Sequence, residues 1–145
     1  MNSRGELKHF VYAALMALGL YVGFFYGCEY RRNFRGPWQV TFTADTNSQP
    51  AIIINQPKLQ ITNVQLVFAG EPRPPVPTPE TVSFASPTNE AAFGKVIFRD
   101  TTFLPGTLTL DLFGHEIELL PRVLGIDRRE HAWQSETTIL LPPKK

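Results

Sequence analysis

Residues 10–27 read FVYAALMALGLYVGFFYG, a run of eighteen residues without a charge. Lys8 precedes this run and Glu29 follows it. At about 1.5 Å of rise per residue, a helix of this length is about 27 Å long, close to the hydrocarbon thickness of a bilayer. The run therefore predicts one transmembrane helix over residues 10–28, with a short amino-terminal tail over residues 1–9.

Within this run Gly19, Gly23 and Gly27 recur at every fourth position. Residues with this spacing lie along one side of a helix, where glycines leave a shallow groove for a neighbouring helix or a flat cofactor. We predict that these three glycines form a helix-packing face. The chain is expected to carry no cofactor of its own, and a lipid or pigment in the groove is the only such contact predicted. The alternative is that glycine is simply common in membrane helices.

A cleaved signal sequence and a lipoprotein acylated at Cys28 are two other interpretations of the same run. The run exceeds the usual signal core of about 7–15 residues. In addition, bulky Phe25 and Tyr26 stand where a lipoprotein signal would carry small residues. An uncleaved, single-pass anchor is therefore the favoured interpretation.

The charges that flank the run determine its orientation only weakly. Arg4 and Lys8 precede it, and three arginines follow at positions 31, 32 and 35, so the count of positive charges is nearly balanced. A short amino-terminal tail before an apolar run is typical of exported domains. We predict an inner membrane location, cytoplasmic or intracytoplasmic, with the following domain on the periplasmic, extracytoplasmic side.

After a linker over residues 29–37, the chain is long enough for a single domain over residues 38–145. Trp38, Val40 and Phe42 alternate with polar residues, which is typical of a half-buried strand. Similar short runs follow at turn spacings, and the chain contains 13 prolines. We predict a mainly β fold of about eight strands, an antiparallel β-sandwich or a partly closed barrel.

Several turns can be predicted within this domain. The phase of the alternation changes at residues 62–63, which favours a bulge, and residues 71–79 form a proline-rich loop. Pro105-Gly106 predicts a type II turn. If Phe113-Gly114 is a two-residue turn, three pairs of facing residues lie on the same side of the hairpin: Leu112 with His115, Leu110 with Ile117, and Leu108 with Leu119. A last hairpin is predicted to join residues 121–126 to residues 133–141.

The same register predicts three carboxylates on the outward face of this hairpin, those of Asp111, Glu116 and Glu118. Like charges on facing strands repel, so water, Lys95, Arg122, a basic partner or a hard cation should offset them. This cluster is a weak candidate for a cation or basic-partner site. The chain has no zinc or calcium signature, and no metal is predicted.

Arg128, Arg129 and Trp133 form a second candidate site. Tryptophan and arginine are frequent anchors of protein interfaces, although the same residues are also common at solvated hairpin tips. His115 is predicted to face the core as a hydrogen-bonded structural residue.

Composition and motifs exclude several classes of function. Lysine and arginine number 14 against 13 acidic residues, without the clustered positive charge that nucleic acid binding needs. Glycine-rich phosphate loops and a nucleophile elbow are absent from the sequence, so we do not expect an enzyme.

We instead expect a non-catalytic accessory subunit of a multisubunit membrane complex, of respiratory or photosynthetic type, with other transmembrane subunits and the bilayer as its partners. The alternative is a membrane-tethered or lipoprotein β-sandwich that binds a sugar, lipid or peptide.

Overall fold

The computed structural model describes residues 3–72, 79–86 and 90–145. It shows one amino-terminal apolar helix followed by two mostly antiparallel sheets in a sandwich-like arrangement. The chain divides into two compact units, Met1–Phe34 and Arg35–Lys145. We call the second the β unit.

Helix α1 runs over Ser3–Arg32 and is longer at both ends than the uncharged run. Most of the predicted tail and the first part of the predicted linker are therefore helical. Glu6 in the first turn and Arg31 and Arg32 in the last turn suit the helix dipole, which explains why the helix continues past the apolar residues. No residue of α1 is buried, and its length and hydropathy are sufficient to cross a membrane.

Ten strands form the two sheets of the described β unit. In chain order they are β1 Gln39–Ala44, β2 Pro50–Gln56, β3 Ile61–Phe68, β4 Glu80–Ser83, β5 Lys95–Arg99, β6 Leu108–Leu112, β7 His115–Leu119, β8 Leu124–Ile126, β9 Arg129–His131 and β10 Thr138–Leu141. The first sheet has the order β10-β3-β2-β1-β4, and the second has the order β5-β6-β7-β8-β9. The sheets stay separate, so the sandwich forms and the barrel alternative does not.

The core lies between the two sheets and consists of the inward residues of each alternating strand. From the first sheet it takes Val40, Phe42, Ile52, Ile54, Val64, Leu66 and Phe68, and from the second Leu108, Leu110, Leu112, Ile117, Leu119 and Leu124. All of these side chains are buried, as the period of two in the sequence requires.

Two local predictions are confirmed. Strands β6 and β7 pair with Leu112 opposite His115, Leu110 opposite Ile117 and Leu108 opposite Leu119. On β3, two residues at 62–63 face the single residue Asn55 of β2, which is the predicted bulge. Asn63 has a φ of 50°, a conformation that asparagine tolerates better than most residues.

Two other predictions were wrong. The Leu104–Pro105 peptide bond is cis and Gly106 does not have a positive φ, so there is no type II turn. The last predicted hairpin is split, because β8 pairs with the short β9 and the chain then crosses to the first sheet. There β10 pairs with β3 in parallel, through a contact distant in sequence. Six of the nine residues in the predicted proline-rich loop, 73–78, lie outside the described residues.

Candidate functional site

The glycine face of α1 is open in the described structure. A Cβ atom added at Gly19, Gly23 or Gly27 would meet nothing within 4 Å. Met16 lies one turn before Gly19 on the same side and is 68% exposed. The side chains of this unit therefore leave the groove uncovered along its full length.

Aromatic rings cover the opposite side of the same helix. Tyr21 and Phe25 are four residues apart and stack with their ring centroids 6.4 Å apart. Position 25 is displaced by two residues from Gly23 and Gly27, which places it about 200° around the helix. The three glycines thus lie on one side of α1 and the Tyr21–Phe25 stack lies on the other.

The three carboxylates on the second sheet occupy the predicted outward positions. Asp111 pairs directly with Glu116, and Lys95 Nζ lies 3.9 Å from Asp111 Oδ2. Glu118 pairs with Thr109 on one side and with Gly125 on the other. Among the residues that the structure describes, no group of three or more His, Cys, Asp or Glu side chains is placed to hold a metal ion.

The residues of the candidate interface are not brought together. Arg128 lies in the tight turn between β8 and β9 and is exposed, as is Arg129 at the start of β9. Trp133 follows β9 beyond the other end of that hairpin. Its indole Nε1 donates to the Leu120 carbonyl at 2.8 Å, and its ring stacks on Trp38 with centroids 5.4 Å apart. The tryptophan is therefore half-buried in internal packing.

A polar cluster around His115 joins the start of β7, the turn after β8 and the segment after β10. The sequence predicted that His115 would face the core with a hydrogen bond, but it did not reveal the partners. His115 is 4% exposed. Its Nδ1 lies 2.6 Å from Asp127 Oδ2 and its Nε2 lies 2.9 Å from the Pro142 carbonyl oxygen. Lys144 Nζ donates to Asp127 Oδ1 at 2.6 Å and to the Gly114 carbonyl at 2.8 Å. We call His115, Asp127 and Lys144 the carboxyl-terminal clasp.

The pKa of Asp127 reflects this cluster. Partial burial of the carboxylate raises its pKa, but hydrogen bonds from Lys144, His115 and the Glu116 N–H outweigh that effect and lower the pKa from 3.8 to about 2. Asp127 is therefore ionised at neutral pH and acts only as an acceptor.

The geometry of the clasp differs from that of a catalytic Asp-His pair. In such a pair the second ring nitrogen faces a nucleophile. In this chain the second nitrogen of His115 faces the Pro142 carbonyl. The side chains of the clasp connect the start of β7 with the segments that follow β8 and β10.

No protein family, curated protein or solved structure matches this chain. Of the sites described, the glycine face of α1 lacks any covering side chain, whereas the clasp and the Trp38–Trp133 stack are satisfied internally.

Proposed function

We propose that this chain is a single-pass membrane protein that serves as a non-catalytic accessory subunit of a larger membrane complex. In this role, α1 spans the bilayer and packs against a neighbouring transmembrane helix through Gly19, Gly23 and Gly27. The β unit braces the complex outside the bilayer. The same proposal includes a host of respiratory or photosynthetic type and a β unit on the extracytoplasmic side.

The observation that carries the proposal is the uncovered glycine face on a helix with no buried residue. In lipid, helices associate by close van der Waals packing, and small residues at every fourth position allow the two backbones to approach. The bulky Tyr21–Phe25 stack on the other side suits contact with acyl chains. A helix that served only as a tether would not need this difference between its two sides.

Exchanging the glycines for large residues tests the proposal. Gly19→Leu with Gly23→Leu fills the groove while keeping the helix apolar, so membrane insertion is retained and association is lost. Ala14→Leu with Ala17→Leu is the matched control, since position 14 lies about 180° from the centre of the glycine face. Native electrophoresis of membranes extracted in mild detergent measures the size of the particle that contains the chain.

We expect the wild-type chain and the alanine control to migrate in the same large complex, and the glycine variant to migrate alone. A wild-type chain that migrates alone, or a glycine variant that stays in the complex, contradicts the proposal.

A tethered binding module is the second candidate. What favours it is a surface cavity of about 520 Å³ beside β5, lined by residues that include Glu90, Lys95 and Phe98. This module would keep its ligand and its anchor in the glycine variant, so the same experiment separates the two functions.

A further inference from the structure

The β unit exposes large apolar side chains at one edge. Ile97 is 52% exposed, Phe98 is 54% exposed and Phe103 is 64% exposed. The first two belong to edge strand β5, and Phe103 belongs to the loop that follows it. Scattered exposed apolar residues are ordinary, but here three large ones lie within seven positions of the chain. We call these three residues the apolar edge.

The loop that carries Phe103 lies at the end of the sandwich where the β unit begins. Trp38 Nε1 donates to the Gly106 carbonyl at 2.7 Å. The Asp100 N–H donates to the Thr107 carbonyl at 2.9 Å and closes the loop. We call this end of the β unit, formed by residues 36–38, 57–60, 100–107 and 120–123, the entry end.

Strand register assigns these segments to one end. Gln39 at the start of β1 pairs with Asn55 near the end of β2, which brings residues 57–60 beside residues 36–38. In the second sheet, Leu108 pairs with Arg99 and with Leu119, and Leu119 pairs with Leu124. The loops on either side of these pairs, 100–107 and 120–123, therefore project in the same direction.

Local packing holds Phe103 outward. Pro105 is buried, and a Cβ atom at Gly106 would overlap the Asp100 carbonyl, so the two sides of the loop are in close contact. Thr102 N–H donates to Asp100 Oδ1 at 2.9 Å and tightens the turn before Phe103. The exposure of this ring is thus built into the loop.

From this arrangement we infer that the entry end is a membrane-contacting surface on which Phe103 and Phe98 enter the lipid interface. This inference rests on the proposed membrane span of α1. Six residues, 33–38, lie between Arg32 at the end of α1 and Gln39 at the start of β1. At about 3.3–3.6 Å per extended residue, they reach only about 20 Å. The linker therefore limits the distance between the end of α1 and the start of β1 to about this length.

The side chains at this end suit a lipid surface. Aromatic rings settle at the interface between water and lipid tails, where burial of apolar area drives binding. Lys58 and Arg122 are exposed at the same end and can approach anionic headgroups. Asp100 lies at this end, and Glu136 lies beside it, where its N–H donates to the Thr62 carbonyl at 2.9 Å. Burial of the rings rather than net charge is therefore the main attraction.

The same edge is poorly suited to pairing with a second copy. A bulge at Ile97 interrupts the ladder of β5. Antiparallel pairing of two β5 strands about Ile97 would also place Lys95 of one copy opposite Arg99 of the other, and like charges on facing strands repel. Contact with a lipid surface requires neither a continuous β5 ladder nor the approach of these like charges.

The experiment places one fluorescent label at a time on the full chain reconstituted in vesicles of phosphatidylcholine and phosphatidylglycerol. In a Cys28→Ser background, Phe103→Cys and Phe98→Cys report on the apolar edge. Leu140→Cys is the matched control, because Leu140 is 66% exposed and lies on β10 at the other end of the sandwich. Leu18→Cys reports on the middle of α1. Each label is quenched in turn by spin-labelled lipid and by aqueous iodide.

We expect lipid to quench labels at positions 103, 98 and 18, and iodide alone to quench the label at position 140. If position 18 is quenched by lipid while positions 103 and 140 are equally open to iodide, the span stands and the inference about the entry end fails. If position 103 is protected from both quenchers, its partner is a protein and the inference also fails. If position 18 is open to iodide, the proposed span itself is wrong.

Discussion

Replacing Asp127 by asparagine should lower the stability of the β unit in a way that depends on pH. Asp127 and Arg128 both have positive φ, 50° and 66°, in the two-residue turn between β8 and β9. Asparagine is favoured in such turns, so the backbone should keep its conformation and the change removes mainly the charge. The carboxylate accepts hydrogen bonds from His115, Lys144 and the Glu116 N–H, and the amide cannot replace all three.

The size of the effect follows from the pKa of Asp127. The pKa falls from 3.8 to about 2, and one pKa unit corresponds to about 1.4 kcal/mol, so the ionised group contributes at most about 2.5 kcal/mol to the free energy of unfolding at neutral pH. Because the folded-state pKa is the lower one, this stability is present above about pH 4 and is lost as the pH falls towards about 2. The difference between the wild type and Asp127→Asn should shrink over the same range.

Denaturant unfolding of the full chain in a mild non-ionic detergent measures this difference. The chain has two tryptophans, Trp38 and Trp133, and both lie in the β unit, so tryptophan fluorescence follows its unfolding without interference from α1. Asp111→Asn is the control, because its partner Lys95 is 3.9 Å away and largely exposed. That exchange should change the free energy of unfolding by less than about 1 kcal/mol. Equal stability of Asp127→Asn and wild type at pH 7, or a difference that persists unchanged at pH 2, would refute this account of the clasp.

Two further substitutions test the packing of the β unit by the same unfolding measurement. Gly94→Ala should lower the free energy of unfolding by more than about 2 kcal/mol, because Gly94 has a φ of 87° and a Cβ there would overlap the Asp111 carbonyl. Gly36→Ala should lower it by only about 1 kcal/mol, because Gly36 has a φ of 73° but open space around it. Equal losses for the two would show that backbone strain alone matters. Trp133→Phe should lower the free energy of unfolding by about 1–2 kcal/mol, because it removes the hydrogen bond to the Leu120 carbonyl. An unchanged denaturant concentration at the midpoint of unfolding would argue against that bond.

The parts of the fold that could be predicted are those encoded locally. The turn at Phe113-Gly114 fixes the register of β6 and β7, because a two-residue connection leaves one pairing that buries all the leucines. The bulge at residues 62–63 is visible as a change of phase in the alternation. The apolar helix follows from length and hydropathy, although its ends do not, since charged Glu6 and Arg32 continue it.

The parts that could not be predicted depend on contacts distant in sequence. The alternation in β10 shows a strand but does not show that it pairs with β3, about seventy residues earlier. The clasp joins His115, Asp127 and Lys144 only after β10 has been placed, so spacing along the chain carries no sign of it. The Trp38–Trp133 stack joins residues 95 positions apart, so the residues around Trp133 do not indicate it.

Photocrosslinking within native membranes shows whether the glycine face of α1 contacts another protein. Benzoylphenylalanine at Met16 lies on the glycine face of α1, and the same group at Phe25 lies on the opposite side as its control. We expect a protein adduct from position 16 and only lipid adducts from position 25. Lipid adducts alone from both positions would contradict the claim that the glycine face packs against another protein.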